Sequence, residues 1–474
     1  MKTILDSSKD HYLIRLIIFL ITAALIAGAT GCAPAQYTLS ISSTTGGTVI
    51  EPGEGSFTYA DGTVVDLVVE AEEGCGLTWT GDVDSIASIH SLSTTITMYD
   101  NYSITATFVE IQGIQDWYDL DAIRDDLSGY YALMNDLDSA TAGYEELASP
   151  TANGGKGWQP IGFFDTQIGS AGSVFSGTFD GQEHEMRDLF INRPEEDNVG
   201  FFGSIGEEGF IRNIGVVNAS VLGHDDVGSL VGENDGTMSN CYAAGNVSGN
   251  WNVGSLVGRN YGGTVVNCYS NGGVSGHSTV GGLVGINIGI VRDSHSSACV
   301  KGTMVGGLVG VNWYNGTVSN SYSTGNVTGD KSVYGYGEYV GGLVAANNGD
   351  ITSSYSTGIV TGDRYIGGLV AVNTHTINNS YSTGSVAGNS TVGGLVGFNE
   401  EGTVSDSFWD IQTSGQATSD GGKGKTTGEM KDIATFSDAG WNMIAVANPG
   451  TRDPSYIWNI VHAVTYPFLS WESV

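Results

Sequence analysis

Few residues of this sequence have the types and spacing that catalysis requires. The segment HEMRD, which begins at His184, comes one residue short of a zinc-protease motif because Asp188 stands where a second histidine is needed. The segment also falls in a predicted strand and turn, whereas that motif binds zinc from a helix. Neither a GxSxG turn nor a Cys and His pair in the context of a nucleophile is present. We therefore expect no catalytic residue, no metal site and no cofactor.

A carbohydrate-active enzyme, a polysaccharide lyase or hydrolase, is the less favoured alternative. Lyase chemistry needs clustered carboxylates that bind calcium and a basic residue that abstracts a proton, at matching positions of neighbouring repeats. The acids before the repeated phrase described below alternate with other residues in neighbouring copies. The basic residues of this region stand at differing positions of the repeat: Arg259, Arg292, Lys301, Lys331 and Arg364. No catalytic face is predicted.

Aromatic residues at irregular positions are the better candidates for ligand binding. One step of the repeat has 35 residues instead of about 26, and the extra residues include Tyr334, Tyr336 and Tyr339. Trp313 and Tyr314 extend another turn of the same copy. Exposed aromatic side chains on a rigid scaffold can contact a glycan or a protein, although insertions in repeat proteins can also be neutral. These five residues are our candidate binding residues.

The element that would position them is a repeated phrase of eight residues. Its copies begin at Val227, Val253, Val280, Val305, Val340, Ile366 and Val392, with spacings of 26, 27, 25, 35, 26 and 26 residues. A fixed period in this range indicates one supersecondary unit that is copied and stacked. Each copy contains three short apolar steps. The sequence therefore predicts an all-β fold, a right-handed parallel β-helix with one copy in each coil.

Two columns of equivalent residues are predicted to run along this helix. Stacked amides would hydrogen-bond between coils and satisfy polar groups at a turn. We interpret the asparagine column as structural: Asn234, Asn260, Asn287, Asn312, Asn347, Asn373 and Asn399. The second column is aromatic and is also interpreted as structural stacking. It contains Tyr242, Tyr269, His295, Tyr322, Tyr355, Tyr381 and Phe408.

The remaining segments suggest caps and a separate module. Residues 37–109 contain alternating strands and turn signals, which predict a small all-β module. The β-helix is assigned to residues 112–407, with regular copies in 227–407, and a C-terminal capping region to 408–474. Apolar residues between Ile114 and Leu127 fit one face of a short helix that would cover the first end of the stack. Thr426 and Glu429 have the spacing of a capping box.

The N-terminus has the organisation of an export signal. Basic residues precede an apolar run from Leu16 to Gly31, and Cys32 follows directly. The order Ala-Thr-Gly-Cys indicates a lipoprotein signal over residues 1–31 with Cys32 as the lipidated residue; ordinary signal cleavage is the alternative. Two other cysteines, Cys241 and Cys268, hold equivalent positions of neighbouring copies. They could be buried thiols, which we favour, or a disulfide.

The composition limits the class of partner. The chain has 17 Lys and Arg against 51 Asp and Glu, a formal net charge of −34. Such a charge repels phosphate backbones, so we expect no nucleic-acid partner. An acidic surface also keeps a long glycine-rich chain soluble, and we expect a monomer.

Several phrases together resemble known families. VGGLVG with the intervening NSYSTG-type strand, preceded by FSGTFDGQEHEM and followed by FWDIQTSG, is similar to the GLUG-motif family of surface proteins. The segment from PGEGSFTYADG to WTGDVD resembles a divergent bacterial repeat domain that serves as a spacer in cell-surface proteins. The GLUG resemblance implies a β-helix outside the cell with adhesin-like or structural roles. It also extends to a non-catalytic region of some immunoglobulin-A-cleaving proteases.

We accordingly expect an exported, lipid-anchored cell-surface protein with a non-catalytic adhesion or binding role. Its partners would be the membrane, through the N-terminal lipid, and a glycan or a surface protein. A purely structural envelope component is the alternative.

Overall fold

The computed structural model of the protein describes residues 35–83, 85–87, 89–162, 174–330 and 338–472. The predicted signal segment, Cys32, Tyr334 and Tyr336 lie outside these residues. The chain divides into two compact units, Met1–Glu110 and Ile111–Val474. Each unit has its own hydrophobic core.

The first unit is the small all-β module that the turn signals predict. One antiparallel sheet contains Gly47–Glu51, Val64–Ala71 and Ser93–Thr97. The other strands are Gln36–Ser43, Gly55–Ala60, Cys75–Gly81 and the first part of Tyr102–Ile114. Alternate side chains of these strands point inward, and Leu39, Leu67, Trp79 and Ile96 are buried.

The second unit is a parallel β-solenoid with three sheets, which confirms the predicted architecture. Equivalent valines of the phrase pair in register from coil to coil, as Val257 does with Val284 and Val284 with Val309. The first sheet has eight strands, and each regular one ends at a column asparagine. They are Phe202–Ile205, Val231–Asn234, Val257–Asn260, Val284–Asn287, Val309–Asn312, Val344–Asn347, Val370–Asn373 and Val396–Asn399.

The second sheet follows each of these strands after a turn. In this unit its strands are Tyr130–Leu133, Thr178–Asp180, Phe210–Arg212, Thr237–Ser239, Thr264–Val266, Ile290–Arg292, Thr317–Ser319, Asp350–Thr352, Thr376–Asn378 and Thr403–Ser405. Residues 111–114 of Tyr102–Ile114 pair in parallel with Tyr130–Leu133.

The third sheet contains the aromatic column. In each coil, its last strand ends where the next phrase begins. Its upstream strands are Glu185–Arg187, Phe190–Asn192, Gly215–Leu222, Asp225–Val227, Tyr242–Gly254, Tyr269–Gly281, His295–Ser296, Cys299–Gly302 and Met304–Gly306. Its downstream strands are Tyr322–Ser323, Val327–Gly329, Tyr339–Gly341, Tyr355–Ser356, Val360–Thr361, Arg364–Gly367, Tyr381–Ser382, Val386–Ala387, Ser390–Gly393, Phe408–Asp410 and Lys423–Lys425.

The phrase itself explains why its residues recur. Val280, Leu283 and Val284 are fully buried in the core between the sheets. A Cβ added at Gly281 would lie 1.8 Å from the carbonyl oxygen of Val284. Any other residue would therefore push the coil apart, so the glycine is dictated by the close approach of the backbone.

The coils before Val227, which we call the upstream coils, have an aromatic core and a helical cap. The predicted helix forms over Trp117–Ala122, and Asp116 caps its N-terminus by accepting hydrogen bonds from the backbone N–H groups of Tyr118 and Asp119. The last predicted turn is instead a 3-10 helix, Ile123–Asp125. A second helix, Tyr144–Leu147, and the 3-10 segment Ala152–Gly155 follow.

The C-terminal region has two structural roles. The first, covering the downstream end of the solenoid, is the role that the sequence predicts. The loop before Lys423–Lys425 supplies partners to the last coil: Thr418 accepts from the N–H of Gly394, and the Ser419 hydroxyl oxygen from that of Val396. This loop satisfies backbone groups that the end of a stack would leave open.

The rest of the region lies along the flank of the solenoid. Trp441, Trp458 and Phe436 pack with Tyr355, Tyr381 and Phe408 of the aromatic column. The predicted capping box is present, since the Glu429 carboxylate accepts from the Thr426 N–H at 2.8 Å. The helix expected after it is broken at Asp432, which caps a new one. The elements are Glu429–Lys431, Ile433–Ser437, Met443–Ala445, Pro449–Thr451, Trp458–Ile460 and Phe468–Leu469.

Candidate functional site

The asparagine column lies inside the corner between the first and second sheets. Each side-chain Nδ2 donates to the Oδ1 of the asparagine one coil downstream, at 2.7–2.9 Å, from Asn234 through to Asn399. Each Nδ2 of the column also donates to a backbone oxygen of its own turn or the next, for example Asn260 to Gly263 at 2.9 Å. The column is buried except at its downstream end. Such an array fixes the turns that follow it.

The turns held by this column carry an exposed apolar surface. The N–H groups of Tyr261, Ile288 and Trp313 donate to the backbone oxygens of asparagines one coil upstream, which places these residues on successive coils. Tyr261 is 49% exposed, Trp313 37% and Tyr314 68%. Ile290, at the start of the adjoining strand, is also exposed. We call Tyr261, Ile288, Ile290, Trp313 and Tyr314 the turn patch.

Ring geometry in the turn patch is fixed by local contacts. The rings of Trp313 and Tyr314 meet edge to face, with centroids 5.3 Å apart. The Arg259 guanidinium lies 4.6 Å from the ring centroid of Tyr261, a cation–π distance. Two of the predicted binding residues thus form part of a larger surface. Tyr261 and Ile288 were not predicted as binding residues from the sequence, although both directly follow a column asparagine.

Tyr339 belongs to a different aromatic group, which joins two residues of the third sheet to one residue of the first sheet. Its ring contacts Tyr365 at 5.3 Å, and Tyr365 contacts Phe398 at 5.9 Å. The guanidinium of Arg364 lies 4.7 Å from the Tyr365 ring centroid. We call Tyr339, Tyr365 and Phe398 the rim cluster. Among the described residues, no ring contact joins Tyr339 to Trp313 or Tyr314.

Carboxylates border the turn patch on its upstream side. Burial raises the pKa of Asp226 and of Asp235 to about 6, and it also raises the pKa of Glu233. Arg259 lies 3.8 Å from Glu233 and lowers these pKa values only in part. An anionic ligand would meet repulsion on this side of the patch.

The segment HEMRD forms no zinc-protease helix. Glu185–Arg187 is a strand, and His184 pairs with Asp136 at 3.0 Å. Asp188 accepts a hydrogen bond from the amide of Asn218. These contacts give each polar side chain a structural partner.

The cysteine pair is resolved in favour of thiols. Cys241 and Cys268 are free and buried, and the Cys268 sulfur accepts from the N–H of Cys241 at 3.4 Å. Burial raises the pKa of Cys241. The same bond recurs downstream with hydroxyl oxygens: the N–H of Ser294 donates to Ser321, and that of Ser321 to Ser354. The sulfurs thus begin a column of small polar side chains.

Comparisons with known proteins agree with the motifs. Residues 37–112 match the family described as a divergent InlB B-repeat domain, and residues 223–248, 249–275 and 301–328 match the GLUG motif. The chain therefore carries both predicted repeat types. No helix of the described residues is long and apolar enough to cross a membrane.

Two curated relatives match part of the chain. Halomucin of Haloquadratum walsbyi is 32% identical over 143 residues, 30% of this chain and 1% of the relative. A protein of Evansella cellulosilytica that bears the name Gly-rich membrane protein is 35% identical over 126 residues, 26% of this chain and 13% of the relative. The chain thus spans only a small part of either.

The comparison with solved structures returns a protein from Bacteroides ovatus that is described as an immunoglobulin A1 protease. It is 20% identical, covers 77% of this chain and 93% of its own, and has a TM-score of 0.40.

Proposed function

We propose that this chain is an exported cell-surface protein with a non-catalytic binding role, and that the turn patch binds a neutral glycan. The names of the two relatives, a mucin and a membrane protein, support the surface location. The observation that carries the binding role is the row of Tyr261, Ile288 and Trp313 on successive coils, in which both aromatic side chains are exposed and Ile288 is half-buried.

The physical case for a glycan is preorganisation. Neighbouring coils of a parallel sheet lie about 4.8 Å apart, so Tyr261 and Trp313 are separated by roughly twice that distance along the solenoid. An extended chain of sugar rings can meet both aromatic side chains in turn. Because the asparagine column fixes the turns, little conformational entropy is lost on binding. The rings supply apolar contact area with few rotatable bonds.

Charge selects the glycan class. The chain has a formal net charge of −34, and Glu233 and Asp235 border the patch. Sulfated or uronic-acid glycans would be repelled at low ionic strength. Uncharged glycans are therefore the expected ligands.

The test compares two exposed tryptophans of one solenoid. Trp313→Ala should weaken binding to a neutral glycan identified on an array by about 2 kcal/mol, roughly thirty-fold. Trp251→Ala is the matched control, since Trp251 is 40% exposed but stands in the third sheet beside His277. Isothermal titration calorimetry measures both variants. If the native chain binds no neutral glycan, or both variants lose binding equally, the turn patch is not a glycan site.

Surface retention is proposed to depend on a lipid at Cys32. Cys32→Ser should release the chain into the medium, and mass spectrometry of the mature N-terminus should find an acylated cysteine in the native protein. An unmodified N-terminus created by cleavage elsewhere would favour ordinary secretion. A structural envelope role would instead give retention without glycan binding.

A further inference from the structure

A second group of side chains with ligand chemistry lies away from the turn patch, where the upstream coils meet the regular ones. Asp197 precedes the strand position of Val199, and His224 and Asp225 stand one coil downstream, before Val227. Nδ1 of His224 is 2.8 Å from Oδ1 of Asp197 and 3.6 Å from Oδ1 of Asp225. One ligand atom from each of the three residues lies within 4.8 Å of the other two.

We propose that Asp197, His224 and Asp225 form a binding site for one divalent transition-metal ion, with Zn²⁺ as the ion that fits best. Zinc is bound by histidine nitrogen at about 2.0–2.1 Å and by carboxylate oxygen at about 2.0–2.2 Å. Neighbouring ligands of a tetrahedral ion are then roughly 3.4 Å apart. The two distances from His224 lie on either side of that value, so small side-chain rotations complete the geometry.

The backbone holds the two loops in register for this purpose. The backbone N–H of His224 donates to the backbone oxygen of Glu196 at 2.9 Å. The backbone N–H of Asn198 donates to the backbone oxygen of Asp225 at 3.0 Å. The carboxylates are themselves oriented, because the N–H of Trp251 donates to Asp225 at 3.1 Å. Hydrogen bonds of this outer kind fix the direction of metal ligands.

Charge at the site favours a cation. Glu196 is neutralised by Lys156 and Arg193, but Asp197 and Asp225 have His224 as their ion-pair partner among the described residues. The carboxylate of Glu195 is a further negative charge near His224. The same negative field would attract a metal ion, which replaces the proton of the imidazole.

The imidazole decides the metal class. Magnesium and calcium prefer sites made of oxygen ligands, whereas imidazole suits zinc and its neighbours. The ion would join the loop before Val199 to the first regular coil. It would therefore stabilise the junction of the two kinds of coil and leave the turn patch unchanged.

Other histidine–aspartate pairs provide a matched control. His375 pairs with Asp350 at 3.0 Å between neighbouring coils, with one carboxylate instead of two. Titration of the full chain with ZnCl2 should give one tight site. We expect His224→Gln and Asp197→Asn to weaken that site at least tenfold, and His375→Gln to leave it unchanged.

Two further measurements make the result decisive. Zinc should raise the melting temperature of the native chain but not of His224→Gln. X-ray absorption should find nitrogen and oxygen ligands around the bound zinc. Equal loss in His224→Gln and His375→Gln, or binding of CaCl2 as tight as that of ZnCl2, would overturn the proposal. If His224→Gln does not fold, the Asp197→Asn titration and the absorption spectrum of the native chain decide.

Discussion

The upstream coils and the regular coils of the solenoid have the same sheets but are stabilised differently. The upstream coils are filled by aromatic rings: Phe202 contacts Phe175 at 4.7 Å and Phe201 at 4.8 Å. The regular coils contain valine and leucine, with a buried amide column at one corner. Ile205 pairs with Asn234, so the amide column begins where the aromatic core ends.

The junction between the two kinds of coil leaves one buried polar atom without a hydrogen bond. The Oδ1 of Asn234 is buried and has no hydrogen-bond partner in the described structure, because Ile205 cannot donate to it. A buried acceptor without a partner is unfavourable by about 1–3 kcal/mol. The junction is thus the weakest point of the column. Downstream of the junction, successive asparagines of the column repeat the same hydrogen bonds.

The largest expected effect comes from a substitution in the aromatic core of the upstream coils. Phe202→Ala should destabilise the unit by about 3–5 kcal/mol, since a large ring inside an aromatic cluster is removed. Because coils of a solenoid contact only their neighbours, the effect should be local. Amide hydrogen exchange should therefore become faster for residues near Trp117 and Phe179, whereas the coils after Val253 should stay protected. Simultaneous opening of all coils would show that the two regions fold as one.

The second prediction concerns the carboxylate at the junction. Asp226 is in the left-handed region (φ 55), as are Asn198 and Asn252 at equivalent positions of neighbouring coils. Its pKa is raised by burial to about 6. Ionisation therefore destabilises the folded state as the pH rises from about 4 through 6, by up to about 3 kcal/mol.

Asp226→Asn should remove this dependence. The variant should match the native chain at pH 4 and be more stable at pH 8, because the neutral amide suits the same backbone conformation. Urea unfolding at both pH values measures the difference. A stability difference between the variant and the native chain that was the same at pH 4 and pH 8 would contradict the prediction.

The third prediction compares two positions of the amide column. Asn287→Ala should cost about 2 kcal/mol, because the Asn260 amide loses one of its hydrogen bonds and the Oδ1 of Asn312 loses its donor. Asn234→Ala breaks a single column bond and removes the unpartnered oxygen, so we expect a smaller loss. Chemical denaturation of both variants gives the comparison. Equal losses would mean that the start of the column is no weaker than its middle.

The regular coils could be predicted from the sequence because their contacts repeat. Gly281 and Asn287 are required by backbone distances and amide bonds that recur in every coil, so the same letters recur. The aromatic core has no such signal, since rings of different size fill its coils. The flanking packing of Trp441 and Trp458 on the aromatic column was missed for the same reason.

The surface sites were the hardest to predict. Trp313 was proposed as a binding residue because it extends a turn of the repeat, whereas Tyr261 occupies an ordinary turn. Asp197, His224 and Asp225 come from two segments that only the register of the coils brings together. No metal site was predicted from the sequence, because HEMRD lacks a second histidine and the acids before the phrase alternate with other residues in neighbouring copies.

The smallest expected effect concerns the two thiols at the start of the hydroxyl column. Cys268 accepts from the N–H of Cys241 and its own backbone N–H donates to the hydroxyl of Ser294 at 3.1 Å. Cys268→Ser keeps both bonds and changes the side-chain volume little, so we expect a change within about 1 kcal/mol. Cys268→Ala has nearly the volume of the serine variant but lacks the acceptor, and it should cost more, by about 1–3 kcal/mol. Thermal unfolding of the two variants separates volume from hydrogen bonding: if alanine were tolerated as well as serine, packing alone would stabilise this column.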